Sequence, residues 1–164
     1  MLPIQPVYVF DTNSISALKS YYPEQFPGVW VNLTELITSD RLISSSFVLK
    51  EIQGHEKTME LEAWVKTNRT IFRDPDAEQT QFLREILREP RYQAMLTPKQ
   101  QRSGRQPADG LLIALARHTA NGCIITEERA RENSVRIPNI CDELKIPCTN
   151  LQGLMRHEGW RFTA

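Results

Sequence analysis

Short apolar runs alternate along this chain with segments of helical periodicity, and this alternation limits the choice of fold. Residues 7–10 and 123–126 are compact apolar runs, and a further short strand is predicted at 41–44. Short apolar strands separated by helices are typical of βαβ units, in which helices cover both faces of a mostly parallel sheet. We therefore predict an α/β fold of three layers, α/β/α, around a mostly parallel central sheet.

The segments between these strands carry two kinds of helical pattern. In 56–68 and 77–95, apolar residues recur every three or four positions, which predicts amphipathic helices. Residues 109–116 are apolar on nearly every side, so this helix is expected to pack against the sheet. Residues 97–106 show neither pattern and are predicted to form a loop.

The predicted elements after residue 126 are short. They are a helical turn at 128–132, extended pieces at 135–137 and 146–148, and helices at 138–144 and 151–157. We expect this tail to complete the sheet and the core.

Length and charge restrict the possible function classes. With 164 residues, 40% of them hydrophobic, the chain can bury one core, so residues 1–164 are predicted to form a single domain. Lys and Arg together number 20, as do Asp and Glu, so no general positive field attracts nucleic acid. Neither a secretory leader nor a run of about 18 apolar residues is seen, and we expect a cytoplasmic protein without a membrane partner.

The cysteines and histidines lack the spacings of zinc, disulfide or triad sites. The three cysteines include no CxxC pair, and the three histidines include no HExxH pattern. Carboxylates are therefore the better candidates for chemistry.

Acidic residues follow two of the predicted strands. Asp11 comes directly after the first strand, and Glu127 and Glu128 follow the strand at 123–126. Open α/β sheets place their sites at the carboxyl ends of the strands. Each acid alone has a structural explanation: Asp11, for example, is a good helix N-cap, worth about 1 kcal/mol.

Two further carboxylates belong to predicted helices. Glu51 lies on a helix that Ser45 or Ser46 caps, and Asp109 opens the apolar helix at 109–116. A carboxylate beside so much apolar surface is costly to bury without a partner, which favours a nearby cation.

Together these acids suit a hard divalent cation. Mg2+ takes near-octahedral oxygen coordination from a few carboxylates, water and substrate phosphate. Without the ion, clustered acids would repel one another and their pKa values would rise. Three or four carboxylates from separate elements would meet this need, so we predict a site for one or two ions of Mg2+ or Mn2+. The candidate acids are Asp11, Glu51, Asp109, Glu127 and Glu128.

Four segments of the chain, taken in order, resemble the motifs of the PIN-domain ribonuclease family. Residues 8–13 resemble its opening motif, a hydrophobic run followed by D-T/S-N. Glu51 resembles the helical glutamate of the second motif, and Asp109 the helix-opening aspartate of the third. Residues 126–128 resemble the fourth motif, T-x-D, but Glu128 replaces the aspartate and is longer by one methylene.

This resemblance implies a PIN-like fold and a metal-dependent ribonuclease that hydrolyses RNA phosphodiester bonds. It implies that the four motif acids, Asp11, Glu51, Asp109 and Glu128, are catalytic metal ligands, with Glu127 as the alternative to Glu128. It also implies that Asn13 and Thr126 support the site by hydrogen bonds. Many small bacterial members resemble VapC-type toxins, which a cognate antitoxin holds in check and which commonly form homodimers. The tail resembles a bacterial PIN-like subfamily with no firmly assigned function.

Basic residues in the predicted loop at 97–106 are candidates for contacts with RNA. Arg102 and Arg105 have no compensating acid before Asp109. We expect these two arginines to bind substrate phosphates, with a solvated polar loop as the alternative.

Two other functions fit part of the pattern. The first is a catalytically weak PIN-like module that binds RNA or protein, because the fourth acid is Glu128. The second is a haloacid-dehalogenase-like phosphatase, because that class also places an aspartate after its first strand. That class requires a second aspartate two residues later, where this chain has Asn13.

Overall fold

The fold is known from a computed structural model, which describes residues 1–95 and 108–162. One sheet contains β1 (Val7–Phe10), β2 (Leu42–Ser45), β3 (Phe72–Arg73), β4 (Gly122–Ile125) and β5 (Cys148–Thr149). The strands lie in the order β3-β2-β1-β4-β5, and all neighbouring pairs are parallel. The predicted α/β class is confirmed, with a sheet that is parallel throughout.

Helices occupy the connections between the strands. α1 (Thr12–Ala17) continues into a 3-10 helix (Leu18–Ser20), and α2 (Pro27–Thr38) precedes β2. α3 (Ser46–Gln53), α4 (Met59–Thr67) and a 3-10 helix (Arg69–Ile71) lead to β3. α5 (Ala77–Ile86), a 3-10 helix (Pro90–Met95) and α6 (Ala108–Arg117) lie between β3 and β4. α7 (Ile137–Leu144) leads to β5, and α8 (Leu151–His157) follows it.

The central strands are buried on both faces of the sheet. The last three residues of β1 and the last three of β4 have no exposed surface. Because successive side chains of a strand point to opposite faces, helices must cover both faces. The almost wholly buried α6 packs against β1, β2 and β4, as its apolar sequence predicts. The three-layer arrangement follows from this double coverage.

The strand order creates a topological switch point between β1 and β4. β2 and β3 lie on one side of β1, whereas β4 and β5 lie on the other. Phe10 pairs with Ile125 at the carboxyl ends of the two strands. Open parallel sheets form a crevice at such a point. Asp11 and Thr126, the next residues in the chain, therefore meet at its base.

Two predicted helices differ from the structure. The helix predicted at 77–95 ends at Ile86, and Pro90 opens a separate 3-10 helix because proline lacks the N–H that would continue the turn. Residues 128–132 are not helical. The amide and carbonyl of Arg131 instead form hydrogen bonds with the side chain of Asn139 on α7.

Some elements were placed inexactly or missed by the sequence patterns. α2 and β3 were not predicted, and the piece predicted as extended at 135–137 ends where α7 begins. The loop predicted at 97–106 lies outside the described residues. In the described ranges, no helix has the length and apolar character needed to cross a bilayer.

Candidate active site

Asp11 lies at the carboxyl end of β1, where it caps the amino end of α1. Its Oδ1 accepts a hydrogen bond of 2.7 Å from the Thr12 amide, and its backbone is extended, as expected of an N-cap residue. Its own amide donates to the Ile125 carbonyl of β4 over 2.9 Å. Asp11 is only 5% exposed. Capping thus occupies one carboxylate oxygen of Asp11. It does not explain why the side chain is buried, because an N-cap residue can be exposed.

Thr126 and Asn13 join Asp11 to the segment that follows β4. Thr126 Oγ1 donates to Asp11 Oδ2 over 2.9 Å and accepts from the Glu128 amide over 3.2 Å. Asn13 Oδ1 accepts from the Glu127 amide over 2.8 Å. The two residues that the PIN resemblance assigns to support therefore fix the orientation of Asp11 and of the chain carrying Glu128.

Glu51 reaches the same place from α3 through a contact that sequence reasoning missed. The Thr12 hydroxyl donates a hydrogen bond to Glu51 Oε2. Thr12 is buried, whereas Glu51 is exposed, so the hydroxyl holds one end of an otherwise solvated side chain. The two residues are far apart in sequence, and only the packing of α1 against α3 brings them together. The signal available in the sequence was the position of Thr12 directly after Asp11.

Asp109 is the second residue of α6 and is half-buried. Burial, and then the charges of Asp11, Glu128 and Glu51, raise the pKa of Asp109 to about 7. Every contribution from the described residues is in this direction. The four predicted acids therefore share one electrostatic environment, although they come from four separate elements.

The pKa of Asp11 is raised as well, to about 6. Burial is the main cause, and the charges of Glu128 and Glu51 add to it. The hydrogen bonds from Thr126 and Thr12 act in the opposite direction because they stabilise the charged form. Both aspartates thus titrate near neutrality, mainly because they are buried, and the neighbouring negative charges add to the rise of each pKa.

The adjacent acids Glu127 and Glu128 point to different places. Glu127 Oε1 accepts from the Leu151 amide at the start of α8 over 2.9 Å. Glu128 Oε2 accepts from the Ile137 amide at the start of α7 over 3.1 Å. Of the two, Glu128 is the one whose charge raises the pKa of Asp109. Glu128 is therefore the better candidate for the fourth acid.

The acidic cluster consists of Asp11, Glu51, Asp109 and Glu128. Its carboxylate oxygens are suitable ligands for a hard divalent cation, although they do not form a complete coordination shell. In residues 1–95 and 108–162, no three Asp, Glu, His or Cys side chains are grouped closely enough to hold a metal ion. One carboxylate oxygen of Glu51 and one of Glu128 already accept hydrogen bonds from within the protein. Mg2+ usually keeps several waters and binds through one or two carboxylates. Asp11 and Asp109 are the pair whose charge such an ion would balance.

The remaining predicted site residues, Arg102 and Arg105, lie outside the described residues. Their proposed contact with RNA phosphates stays a prediction.

Comparisons with known proteins place the chain in a family but do not give it a function. No curated protein and no solved structure matches it. A family model with the description "domain of unknown function (DUF4411)" matches residues 8–162, which is nearly the whole chain and includes all four acids. The chain therefore belongs to this domain family of unknown function, DUF4411.

Proposed function

We propose that this protein is a metal-dependent ribonuclease that hydrolyses RNA phosphodiester bonds. The observation that carries the proposal is the shared, partly desolvated environment of Asp11 and Asp109 beside Glu51 and Glu128. Crowding of negative charge in this way lowers the stability of the fold. Buried and crowded charges that destabilise a fold are found mainly at functional sites.

A divalent ion, Mg2+ or Mn2+, would be held by Asp11 and Asp109, with Glu51 and Glu128 as further oxygen donors. When bound, such an ion stabilises charge on a phosphate and lowers the pKa of water, which is the chemistry of phosphodiester hydrolysis. Thr126 orients Asp11, and Thr12 orients Glu51. These side chains consequently lose little conformational freedom when they bind a ligand.

The choice of RNA as substrate rests on the resemblance of the four motifs to PIN-domain ribonucleases. The acidic cluster repels a phosphodiester in the absence of a cation, so binding of the scissile phosphate should depend on the metal. A cognate antitoxin, a homodimer and phosphate contacts from Arg102 and Arg105 belong to the same proposal.

Cleavage of an end-labelled RNA pool tests the proposal. We expect cutting with Mg2+ or Mn2+ and none with EDTA, and we expect Asp11→Asn and Asp109→Asn to abolish it. Asp40→Asn is the matched control. Asp40 is exposed and precedes β2, so it lies at the amino-terminal ends of the strands, whereas the acids lie at the carboxyl ends. Its positive φ of 55° also suits asparagine. Full cutting by either site variant would contradict the assignment.

One observation favours a second candidate, a binding module without strong catalysis. The hydrogen bonds that Glu51 and Glu128 accept leave fewer oxygens free for an ion. RNA binding that is equal with Mg2+ and with EDTA, together with no cleavage, would support this module. Hydrolysis of para-nitrophenyl phosphate would instead point to the phosphatase alternative.

A further inference from the structure

A polar seam runs along α1 and α3 away from the acidic cluster. Thr12 on α1 contacts Glu51 on α3, and one turn further Ser16 Oγ lies 3.1 Å from His55 Nδ1, just beyond α3. Residues spaced by four share one face of a helix, so the two pairs lie in line. Lys19, in the 3-10 helix that continues α1, comes next on this face. It lies about 10 Å along the helix axis from Thr12.

A cavity of about 400 Å³ opens at the far end of this seam. Its lining residues are Lys19, Ser20, Tyr22, Glu56, Lys57 and Thr58. This volume falls within the range of small-ligand pockets, roughly 300 to 1,000 Å³.

The cavity combines a partly exposed aromatic ring with two lysines and one carboxylate, that of Glu56, so its lining carries a net positive charge. Tyr22 is 52% exposed, so part of its surface can receive a ligand. Lys19 is exposed, and the Lys57 ammonium lies beside the end of α3, where it donates to the carbonyls of Ile52 and His55. A cation next to an exposed aromatic ring is the combination that binds phosphate and nucleobase in single-stranded nucleic acids.

We propose that this cavity is a subsite for single-stranded RNA, in which Lys19 binds a backbone phosphate and Tyr22 stacks on an unpaired base. The subsite would hold nucleotides flanking the phosphodiester that lies at the acidic cluster, and it therefore rests on the proposed function. A base in a duplex cannot stack on Tyr22, so the geometry points to single-stranded substrate. Ser16 and His55 lie between the two places along the polar seam.

Binding in EDTA tests this subsite without cleavage. The probe is a short fluorescein-labelled single-stranded RNA of mixed sequence, followed by fluorescence anisotropy over a range of salt concentrations. We expect Tyr22→Leu to weaken binding by about fivefold or more, because base stacking on an aromatic ring is lost. We expect Lys19→Gln to weaken binding and to reduce the slope of log K against log salt by about 0.7, the value for one phosphate contact to a single strand.

Lys145→Gln is the control. Lys145 is exposed and precedes β5, so it lies at the amino-terminal ends of the strands, opposite the ends that carry the acids. It should bind RNA like the parent protein. Parent-like affinity and salt slope in both Lys19→Gln and Tyr22→Leu would overturn the subsite. Thermal unfolding of each variant, followed by circular dichroism, checks that weaker binding does not come from loss of the fold.

Cleavage with Mg2+, measured in parallel, separates this inference from the proposed function. If the parent cuts RNA, the two subsite variants should show a KM that rises more than kcat falls. A parent that cuts RNA, with variants of unchanged KM, would reject the subsite and leave the ribonuclease proposal standing. A parent that binds RNA through Lys19 and Tyr22 but never cuts would reject the ribonuclease proposal itself.

Discussion

Asp109 carries a charge that the fold does not accommodate well, so its replacement by asparagine should make the protein more stable. The pKa of this carboxyl is about 7 in the folded protein, against an ordinary value of 3.8. A raised pKa means that the folded state binds the proton more tightly than the unfolded state does. The stability contributed by protonation is therefore fully present below about pH 4 and is lost as the pH rises through about 7.

The size of this effect follows from the pKa difference. A shift of about three units at 1.36 kcal/mol per unit corresponds to about 4 kcal/mol at about pH 8. The charge of Asp11 contributes to this shift and is itself lost near neutrality, so we expect a gain of about 2 to 4 kcal/mol for Asp109→Asn. In a chain of this size such a gain raises Tm by about 5 to 15 °C. The gain should fall below about 1 kcal/mol near pH 4, where the parent carboxyl is protonated in both states.

Urea unfolding in EDTA at several pH values, followed by tryptophan fluorescence, measures this difference. Asp40→Asn serves as the control again, since its exposed carboxylate should change stability little. Mg2+ should then stabilise the parent more than Asp109→Asn, because the ion binds the folded state of the parent more tightly. An Asp109→Asn variant that is no more stable than the parent at about pH 8 would refute the argument that this charge is desolvated and crowded.

Two further predictions concern the residues that hold the acids. Thr12→Val should weaken Mn2+ binding by about tenfold, whereas Thr12→Ser should keep it, because the hydroxyl that orients Glu51 is lost only in the first; isothermal titration with Mn2+ measures both. Glu128→Gln should lower the pKa of Asp109, whereas Glu127→Gln should leave it unchanged, because only the first removes a charge that acts on Asp109. Carboxyl carbon NMR titration compares the two, and equal shifts would reject the assignment of Glu128.

The sequence determined the elements that depend on local pattern. Short apolar strands and a helix that is apolar on nearly all sides bury their apolar surface when helices cover both faces of a parallel sheet. The α/β class could therefore be predicted. Asp11 was placed at a strand end because a capping residue directly follows an apolar run, which is also a local signal. The helix break before Pro90 was equally local, and the prediction of a continuous helix at 77–95 overlooked it.

The tertiary structure decided which of the predicted acids meet and in what state. Glu127 and Glu128 are neighbours with the same chemistry, and no local pattern separates them. The Leu151 amide at the start of α8 donates to Glu127, whereas the Ile137 amide at the start of α7 donates to Glu128. The contact between Thr12 and Glu51 likewise exists only because α1 packs against α3.

Charge state depends on the tertiary structure for the same reason. A sequence shows that Asp109 precedes apolar residues, but not how much water the folded chain removes from its carboxylate. Strand order places β1 beside β4, and burial of α6 brings Asp109 close to Asp11 and Glu128. Desolvation and Coulomb repulsion act through space and grow as water is excluded, so they are properties of the packed molecule and not of the order of its residues.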